Sequence, residues 1–410
     1  QVAVRSRRVA PVVVGHDGHD IMEEPLWQRK KADADTRFFD GVPVFRYSRA
    51  FQGLLRPRNQ WIVVYHQNIT HDMLRRGCSR LRLPAQCDHV SQPEKGELAF
   101  MTVHAYEYEL RMSGIHKNFA RYLQLDGQMR MNRIGGGRQE PTPWGLDRID
   151  QEAGLDGRYL VQPEGLGTHV YHLDTGISTQ LPEFAVGRAV PEWDITVADL
   201  SCPLPVEKWC SQRPAGRCRD TCAQDFQGHG THTSGTICGL HYGVAKAATC
   251  HSVKVLDNMG TGAWSWFAEG INAIVSGGLH PSIISASLGG SGHEPVVEEA
   301  INRASDANIA VVVASGNEGV DACSATPGFV KSALVVGATD KYDNIANYSN
   351  WGDCVDIYAP GSLIASIDNF GREFVLSGTS QAVPHVAGAV AVEMSRQSGG
   401  AAEVSAASVA

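Results

Sequence analysis

The chain has 410 residues, 43% of them hydrophobic, and this size and composition predict a large buried core in two domains plus an extension. No run approaches the roughly 18 apolar residues of a transmembrane helix, so the composition predicts no membrane span. The formal net charge of −8 combines a basic part, residues 1–140 with 22 Lys and Arg against 15 Asp and Glu, with an acidic part, residues 141–410 with 14 against 29; the acidic surplus argues against nucleic-acid binding.

The basic part has strand character in two places. Residues 59–67 (NQWIVVYHQ) predict a strand, and residues 119–132 predict a helix end or strand, then a turn and another strand. A loose glycine-rich connection follows at residues 135–141 (GGGRQEP). Residues 5–8 (RSRR) are either a processing site or a solvated basic surface. The two oppositely charged parts either associate or carry separately solvated surfaces.

Asp174 ends the first strand predicted in the acidic part. In HVYHLDTGI, residues 169–177, apolar residues lead to Asp174, and a Thr-Gly turn follows. A carboxylate at the end of a strand can face a cleft. Asp-Thr-Gly is also a motif of aspartic proteases, but those need a second, paired carboxylate motif, which this sequence lacks.

His229 stands between two glycines in QGHGTHTSGTICG, residues 227–239, just before a small-residue helical stretch. The glycines allow tight backbone that positions the imidazole. His232, three residues later, makes zinc ligation an alternative interpretation. No third ligand follows in the pattern of a metalloprotease.

Strand-like and helix-like segments then alternate. Near-continuous apolar strands separated by amphipathic helices predict a parallel sheet covered on both faces, an α/β sandwich. Reactive groups in such sheets gather beyond the carboxyl ends of the strands, where Asp174 and Asn317 fall. Asn317 follows a strand in VVVASGNEG and, taken alone, would be a turn residue. The predicted strands are residues 252–256, 282–287, 309–314 and 333–338, and the predicted helices are 264–277 and 294–308.

Ser380 lies where a further helix begins, in SGTSQAVPHVAG, residues 377–388. The apolar run from Ala382 to Val392 predicts the helix, with Pro384 in its first turn, where N–H groups are unpaired anyway. Ser380 is therefore either an ordinary helix cap or a nucleophile at a positive helix end that stabilises an oxyanion.

Asp174, His229 and Ser380 together supply a nucleophile, its base and the group that orients the base. A serine hydroxyl is a poor nucleophile until a base takes its proton, and that base needs a third group to fix its tautomer. The order Asp, His, Ser along the chain differs from that of chymotrypsin-like enzymes and α/β-hydrolases and matches that of subtilisins.

These motifs, with ASLGG at residues 286–290 and VVVASGNEG, resemble subtilisin-like serine proteases (peptidase S8), most closely the proteinase K group. The resemblance runs from about Pro143 to the C-terminus. It implies a subtilisin-like three-layer sandwich with a mainly parallel sheet, preceded by a small α+β propeptide domain of the inhibitor I9 type. The implied domains are an extension over 1–56, the propeptide over 57–133, and a catalytic domain over 134–410 that is short at its C-terminus.

The resemblance also implies roles for particular residues. Asn317 would be the side-chain donor of the oxyanion hole, beside the backbone N–H of Ser380. Two segments would bind an extended substrate by strand addition, with Trp264 either at the rim of a distant subsite or partly buried at a helix start. No acidic residue occurs in ASLGG or VASG, so we expect a broad apolar or aromatic preference. The substrate-binding residues are Gly260, Gly262, Ala263 and Trp264 on one side and Ser287, Leu288 and Gly289 on the other.

The chemistry requires no cofactor, but the resemblance implies structural calcium held by Asp356 with the backbone carbonyls of Lys331 and Ala333. It also implies a disulfide between Cys323 and Cys354. Cys238 with Cys250, and Cys78 with Cys87, are further candidate pairs. An insertion between Asp174 and His229 contains four cysteines, Cys202, Cys210, Cys218 and Cys222. We expect them to form disulfides that staple a loop, and a zinc site is the less favoured alternative.

We therefore expect a monomeric serine endopeptidase acting on polypeptides, with its own propeptide as intramolecular inhibitor and cleavage between residues 131 and 140. The ten cysteines, with sequons at Asn68 and Asn347, indicate an extracellular or secretory-pathway protein. The alternative is a catalytically silent binding protein that keeps the propeptide in its cleft. Two residues depart from the family pattern: Gln381 replaces Met, and His172 replaces an apolar residue on the same strand face as Asp174.

Overall fold

The computed structural model describes residues 37–45, 59–79, 81, 85–117, 119–131, 142–185, 187–196 and 222–398. The basic cluster at residues 5–8, the connection at residues 135–141 and the cysteines Cys202, Cys210 and Cys218 lie outside these ranges. We call described residues 37–131 the N-terminal unit and described residues 142–398 the C-terminal unit.

The strands of the N-terminal unit are β1 (Arg37–Phe39), β2 (Val42–Phe45), β3 (Asn59–Tyr65), β4 (Gln86–Val90), β5 (Phe100–Ala105), β6 (Ala120–Leu125) and β7 (Gln128–Met131). Those of the C-terminal unit are β8 (His169–Asp174), β9 (Ala189–Asp194), β10 (Thr249–Lys254), β11 (Thr261–Ala263), β12 (Ser282–Ala286), β13 (Leu288–Ser291), β14 (Ala310–Ala314), β15 (Ala325–Thr326), β16 (Leu334–Thr339), β17 (Ile357–Pro360), β18 (Ile364–Ile367) and β19 (Glu373–Leu376). The helices are α1 (His71–Cys78), α2 (Glu107–Ser113), α3 (Trp144–Ile149), α4 (His229–Cys238), α5 (Trp264–Gly277), α6 (Pro295–Asp306) and α7 (Thr379–Ser398), with short 3₁₀ turns at Pro93–Lys95 and Ala322–Ser324.

A seven-stranded sheet forms the middle layer of the C-terminal unit, in the order β17-β16-β14-β12-β8-β10-β9. All six pairings are parallel, and β12 and β14 are buried along almost their whole length, because both faces of the sheet are covered. Helices α4 and α7 pack on one face of this sheet and form one hydrophobic core with it. Helices α5 and α6 pack on the opposite face and form a second core. The predicted strands and helices are confirmed. Their boundaries shift by up to three residues, except that α7, predicted from the run Ala382 to Val392, extends six residues further at its C-terminal end.

A six-stranded sheet, β1-β2-β6-β3-β5-β4, forms the N-terminal unit. One face packs with α1 and α2 residues, while Ile62, Phe100 and Tyr122 on the other face belong to the same core as α5 and α6. The β1–β2 hairpin pairs with β6 in parallel, so residues 37–45 of the predicted 1–56 extension are part of this sheet.

Strand β7 links the two units. It lies between β11 and β13 in a four-stranded antiparallel sheet, β11-β7-β13-β15. A segment that precedes the C-terminal unit in sequence therefore forms the centre of a sheet whose other strands all belong to that unit.

Three of the candidate disulfides form: Cys78–Cys87, Cys238–Cys250 and Cys323–Cys354. Cys222 is also disulfide-bonded. Within the described ranges, no helix has the length and apolar content needed to cross a bilayer.

Candidate active site

Asp174 is fully buried at the carboxyl end of β8. Its carboxylate accepts from the backbone N–H of Thr175 at 2.7 Å and bonds Nδ1 of His229 at 2.8 and 2.9 Å. Burial by itself raises the pKa of this carboxyl, but His229 and the hydrogen bonds outweigh it and hold the pKa below its usual value. The carboxylate is thus ionised and bound to one imidazole nitrogen.

His229 is the first residue of α4 and is also fully buried. Its backbone N–H donates to the side chain of Gln227 at 2.8 Å, and its Nε2 has no hydrogen-bond partner among the described residues. A Cβ at Gly230 would lie 2.2 Å from the Gly176 carbonyl oxygen, so only glycine lets α4 approach the end of β8 this closely.

Sequence analysis missed Asp225, which fixes the loop before α4. Its Oδ1 accepts from the hydroxyl of Thr175 and from the backbone of Gln227 and Gly228, and its Oδ2 accepts from Thr231. This buried carboxylate therefore ties the turn after Asp174 to the start of α4. An Asp shortly before a helix start is a local capping signal that the sequence does contain.

Ser380 is the second residue of α7, and α7 packs against α4. Its Oγ donates to the Ser287 carbonyl at 2.9 Å, while the Ser287 hydroxyl donates to the Ser380 carbonyl at 2.9 Å. α7 begins at Thr379, so the prediction that Ser380 lies at a helix start is confirmed, whereas the prediction that Pro384 lies in the first turn was wrong, because Pro384 lies inside the helix. Pro384 has no N–H for the Ser380 carbonyl, and the Ser287 hydroxyl takes that place.

Asn317 follows β14 and contacts the start of α7. Its Oδ1 accepts from the backbone N–H of Thr379 at 2.8 Å and from the Thr379 hydroxyl at 2.9 Å. These two donors fix the orientation of the amide, and its buried Nδ2 has no partner in the described part of the chain. Thr379, which sequence analysis did not single out, thus leaves a donor available beside Ser380.

The predicted substrate-binding segments flank β7. Thr261–Ala263 pairs with residues 128–130 on one side, and Leu288 pairs with Met131 on the other. A Cβ at Gly262 would lie 2.4 Å from the Val255 carbonyl oxygen and 2.7 Å from Cε of Met129, so the close approach requires glycine. The other predicted substrate-binding residues lie in or next to these two segments: Gly260 just before β11, Ser287 between β12 and β13, and Gly289 in β13.

Trp264 begins α5 and is only 1% exposed. Its backbone N–H donates to the Gly127 carbonyl at 3.1 Å, and its side chain packs in the core shared by both units. Trp264 is therefore a helix-start residue that is fully buried with the N-terminal unit in place.

Asp356 is exposed just before β17, and one of its carboxylate oxygens accepts from the Val335 backbone N–H at 2.9 Å. Within the described ranges, no group of three or more His, Cys, Asp or Glu side chains is arranged to hold a metal ion. The second histidine of the zinc alternative, His232, contacts the Phe374 carbonyl at 3.0 Å. A calcium site here would depend on backbone carbonyls, such as those of Lys331 and Ala333 that the family resemblance implied.

A family model, peptidase S8, matches residues 166–409, more than half of the chain. The chain belongs to the subtilase family. Among curated relatives, this subtilase is 40% identical over 274 residues to "Extracellular serine proteinase" of Thermus sp. (strain Rt41A), covering 66% of this chain and 60% of the relative. It is 40% identical over 260 residues to "Proteinase T" of Parengyodontium album, covering 61% of this chain and 79% of the relative.

"Alkaline serine exoprotease A" of Vibrio alginolyticus is 35% identical over 280 residues, 68% of this chain and 48% of the relative. The subtilase chain thus spans 60% of the Thermus relative and 48% of the Vibrio relative. A solved structure, "Crystal structure of a cold adapted subtilisin-like serine proteinase", matches with a TM-score of 0.57 and 35% identity, over 66% of this chain and 89% of that one. The predicted subtilisin-like α/β fold is confirmed.

Proposed function

We propose that this subtilase is a serine endopeptidase that uses Asp174, His229 and Ser380 and forms an acyl-enzyme. The observation that carries the proposal is the buried hydrogen bond from Asp174 to Nδ1 of His229, with Nε2 unpartnered among the described residues. A carboxylate that binds Nδ1–H leaves the lone pair on Nε2, and that nitrogen can then take a proton.

In the proposed reaction, Ser380 first exchanges its bond to the Ser287 carbonyl for one to Nε2 of His229. Its Oγ attacks the peptide carbonyl carbon as Nε2 takes the hydroxyl proton, and Asn317 Nδ2 and the Ser380 N–H donate to the oxyanion. His229 then protonates the leaving amine as the C–N bond breaks. Water, deprotonated by His229, hydrolyses the ester and regenerates the serine.

The proposed substrate is an extended polypeptide that takes the place of β7 between β11 and β13. Met129 of β7 is fully buried in a core with Leu256 and Leu288, which supports the expected preference for apolar or aromatic side chains at the matching subsite. The same geometry supports the N-terminal unit as an intramolecular inhibitor, because β7 and a substrate cannot occupy this position together.

Self-cleavage is part of the proposal. A segment tethered beside its own active site is present at high effective concentration, so the cut should be intramolecular, with a new N-terminus between residues 132 and 141. The disulfides and the names of the extracellular relatives support an extracellular protein. A monomer and the absence of nucleic-acid partners stay predictions.

The second candidate is a catalytically silent binding protein, which the position of β7 in the cleft favours. A serine-directed phosphonylating probe separates the two. We expect the wild-type chain to label at Ser380 and to be processed, and Ser380→Ala to stay unlabelled and full-length. An unlabelled wild type whose N-terminal unit has been removed would favour the binding protein, and processing of purified Ser380→Ala at the same point would reject self-cleavage.

We also propose a structural calcium ion at Asp356 with the carbonyls of Lys331 and Ala333, because hard oxygen donors suit calcium. A chelator should then lower the melting temperature of the wild type and leave that of Asp356→Ala unchanged. A melting temperature that neither the chelator nor the substitution alters would remove this site.

A further inference from the structure

His172 lies next to the Asp174–His229 pair and has no part in the proposed chemistry. It stands two residues before Asp174 in β8, and both side chains lie on the face of the sheet that α4 covers. The imidazole is fully buried. A fully buried polar ring beside a carboxylate needs a physical reason, since burying it carries a desolvation penalty.

The contacts of His172 to Thr233 favour the tautomer with the hydrogen on Nε2, and the backbone of Ser285 on β12 also lies beside the ring. Its Nε2 lies 2.6 Å from the hydroxyl of Thr233. That hydroxyl donates its hydrogen to the His229 carbonyl at 2.9 Å, one turn back along α4, so its oxygen accepts from Nε2–H of His172. Nε2 also lies 3.6 Å from Oδ2 of Asp174. The positive end of this N–H dipole therefore faces both the hydroxyl and the carboxylate.

The ring is neutral at neutral pH. Burial lowers the pKa of His172 to about 4, although the charge of Asp174 opposes the shift. The other titratable groups around it are His229 of α4 and Asp225 of the loop before α4, with Lys254 of β10 near Asp174. On the two neighbouring strands, the residues in register with His172 are Ser252 and Ser285, which do not titrate in this range.

We propose that His172 is a positioning residue for the Asp174–His229 pair, directing the dipole of its Nε2–H toward Asp174 and binding the first turn of α4 through Thr233. The proposal rests on the proposed function. A neutral donor compensates part of the carboxylate charge without neutralising it. If the donor is removed, Asp174 acts more strongly on His229, and the protonated form of His229 is stabilised.

The test measures the pKa of His229 directly. In the full chain carrying Ser380→Ala, histidine NMR signals are titrated, with His229→Gln identifying the resonance. We expect His172→Leu to raise the pKa of His229 by about 0.5 pH unit, the order of effect of losing one dipole near a charge. His172→Gln, which keeps an N–H donor, should restore most of the original value. In the active chain, the acid limb of kcat/KM against pH should move in the same direction.

The control is His251→Leu. His251 is equally buried on the neighbouring strand β10, but its ring contacts Glu192 and His169, so its loss should leave the pKa of His229 unchanged. An unchanged pKa in folded His172→Leu, or an equal shift in His251→Leu, would overturn the proposal. If His172→Leu does not fold, Thr233→Val decides: it leaves Nε2–H of His172 to Asp174 alone, so a fall in the pKa of His229 supports the role, and an unchanged or raised value rejects it. A wild type without hydrolysis but with the expected NMR shifts would reject only the proposed function.

Discussion

At the scale of single residues, the arrangement at the start of α7 depends on which atom of the Asn317 side-chain amide forms hydrogen bonds with Thr379. Asn317 accepts through Oδ1 from Thr379 and keeps Nδ2 without a partner among the described residues. A buried donor without a partner is unfavourable in the resting protein. It becomes useful only when a negative oxygen arrives next to Ser380.

We therefore expect Asn317→Ala to lower kcat by about 100- to 1000-fold with little change in KM, the effect measured for such a donor in a subtilisin. Activity should remain, because the Ser380 N–H still donates. Steady-state kinetics on a peptide substrate gives both constants. Thr379→Val keeps the backbone donor to Asn317 and should lose less. Normal kcat with raised KM in Asn317→Ala would show that the residue binds substrate and does not stabilise the oxyanion.

At the scale of elements, the disulfide between Cys323 and Cys354 joins two segments on either side of β16. Cys323 lies in the 3₁₀ turn after the Asn317 loop, and Cys354 lies shortly before β17. The cross-link closes a loop of 31 residues, so it restricts the unfolded chain more than the Cys238–Cys250 pair, which is separated by 12 residues.

Replacing Cys323 and Cys354 by serine should lower the free energy of unfolding by about 3 to 4 kcal/mol on the chain-entropy model. The matched control, the same replacement at Cys238 and Cys250, should lower it by about 3 kcal/mol. Urea unfolding of both variants in the Ser380→Ala background avoids self-digestion. An unfolding midpoint unchanged from that of the parent would contradict the prediction.

At the scale of the whole molecule, the two units meet through acidic groups that are buried or partly buried. Asp126 accepts from the backbone and hydroxyl of Ser265 at the start of α5, and Glu299 of α6 pairs with Arg121 of β6 at 2.9 Å. Burial raises the pKa of Asp126 and of Glu299 to about 7, and it raises that of Glu294 well above its usual value. All three carboxyls therefore bind protons more tightly when the N-terminal unit is docked on the C-terminal unit.

Docking should consequently weaken as pH rises. A carboxyl whose pKa is raised on docking stabilises the docked state most at a pH below its unbound pKa near 4, and this contribution is lost between about pH 4 and 7. Hydrogen exchange of β7 amides in Ser380→Ala, corrected for intrinsic rates, should be slower at pH 5 than at pH 8. Asp126→Asn, which cannot ionise, should reduce the difference. Protection that increases with pH would contradict this sign.

The sequence by itself determined the features that repeat or stay local. Near-continuous apolar strands between amphipathic helices predicted the parallel sheet, and strand ends and glycines placed Asp174 at the end of a strand and His229 just before a helix. The Asp225 cap was also present as a local signal. These features are readable because they depend on residues only a few positions apart.

Only the tertiary structure decided the features that join distant residues. The start of α7 at Thr379 depends on Asn317, 62 residues earlier, and the proline inside α7 is accommodated by the Ser287 hydroxyl. Likewise, Trp264 is buried because the N-terminal unit covers it. A helix end or a strand's neighbour is set by partners that complete its hydrogen bonds and packing, and the local sequence does not say which distant segments these partners are.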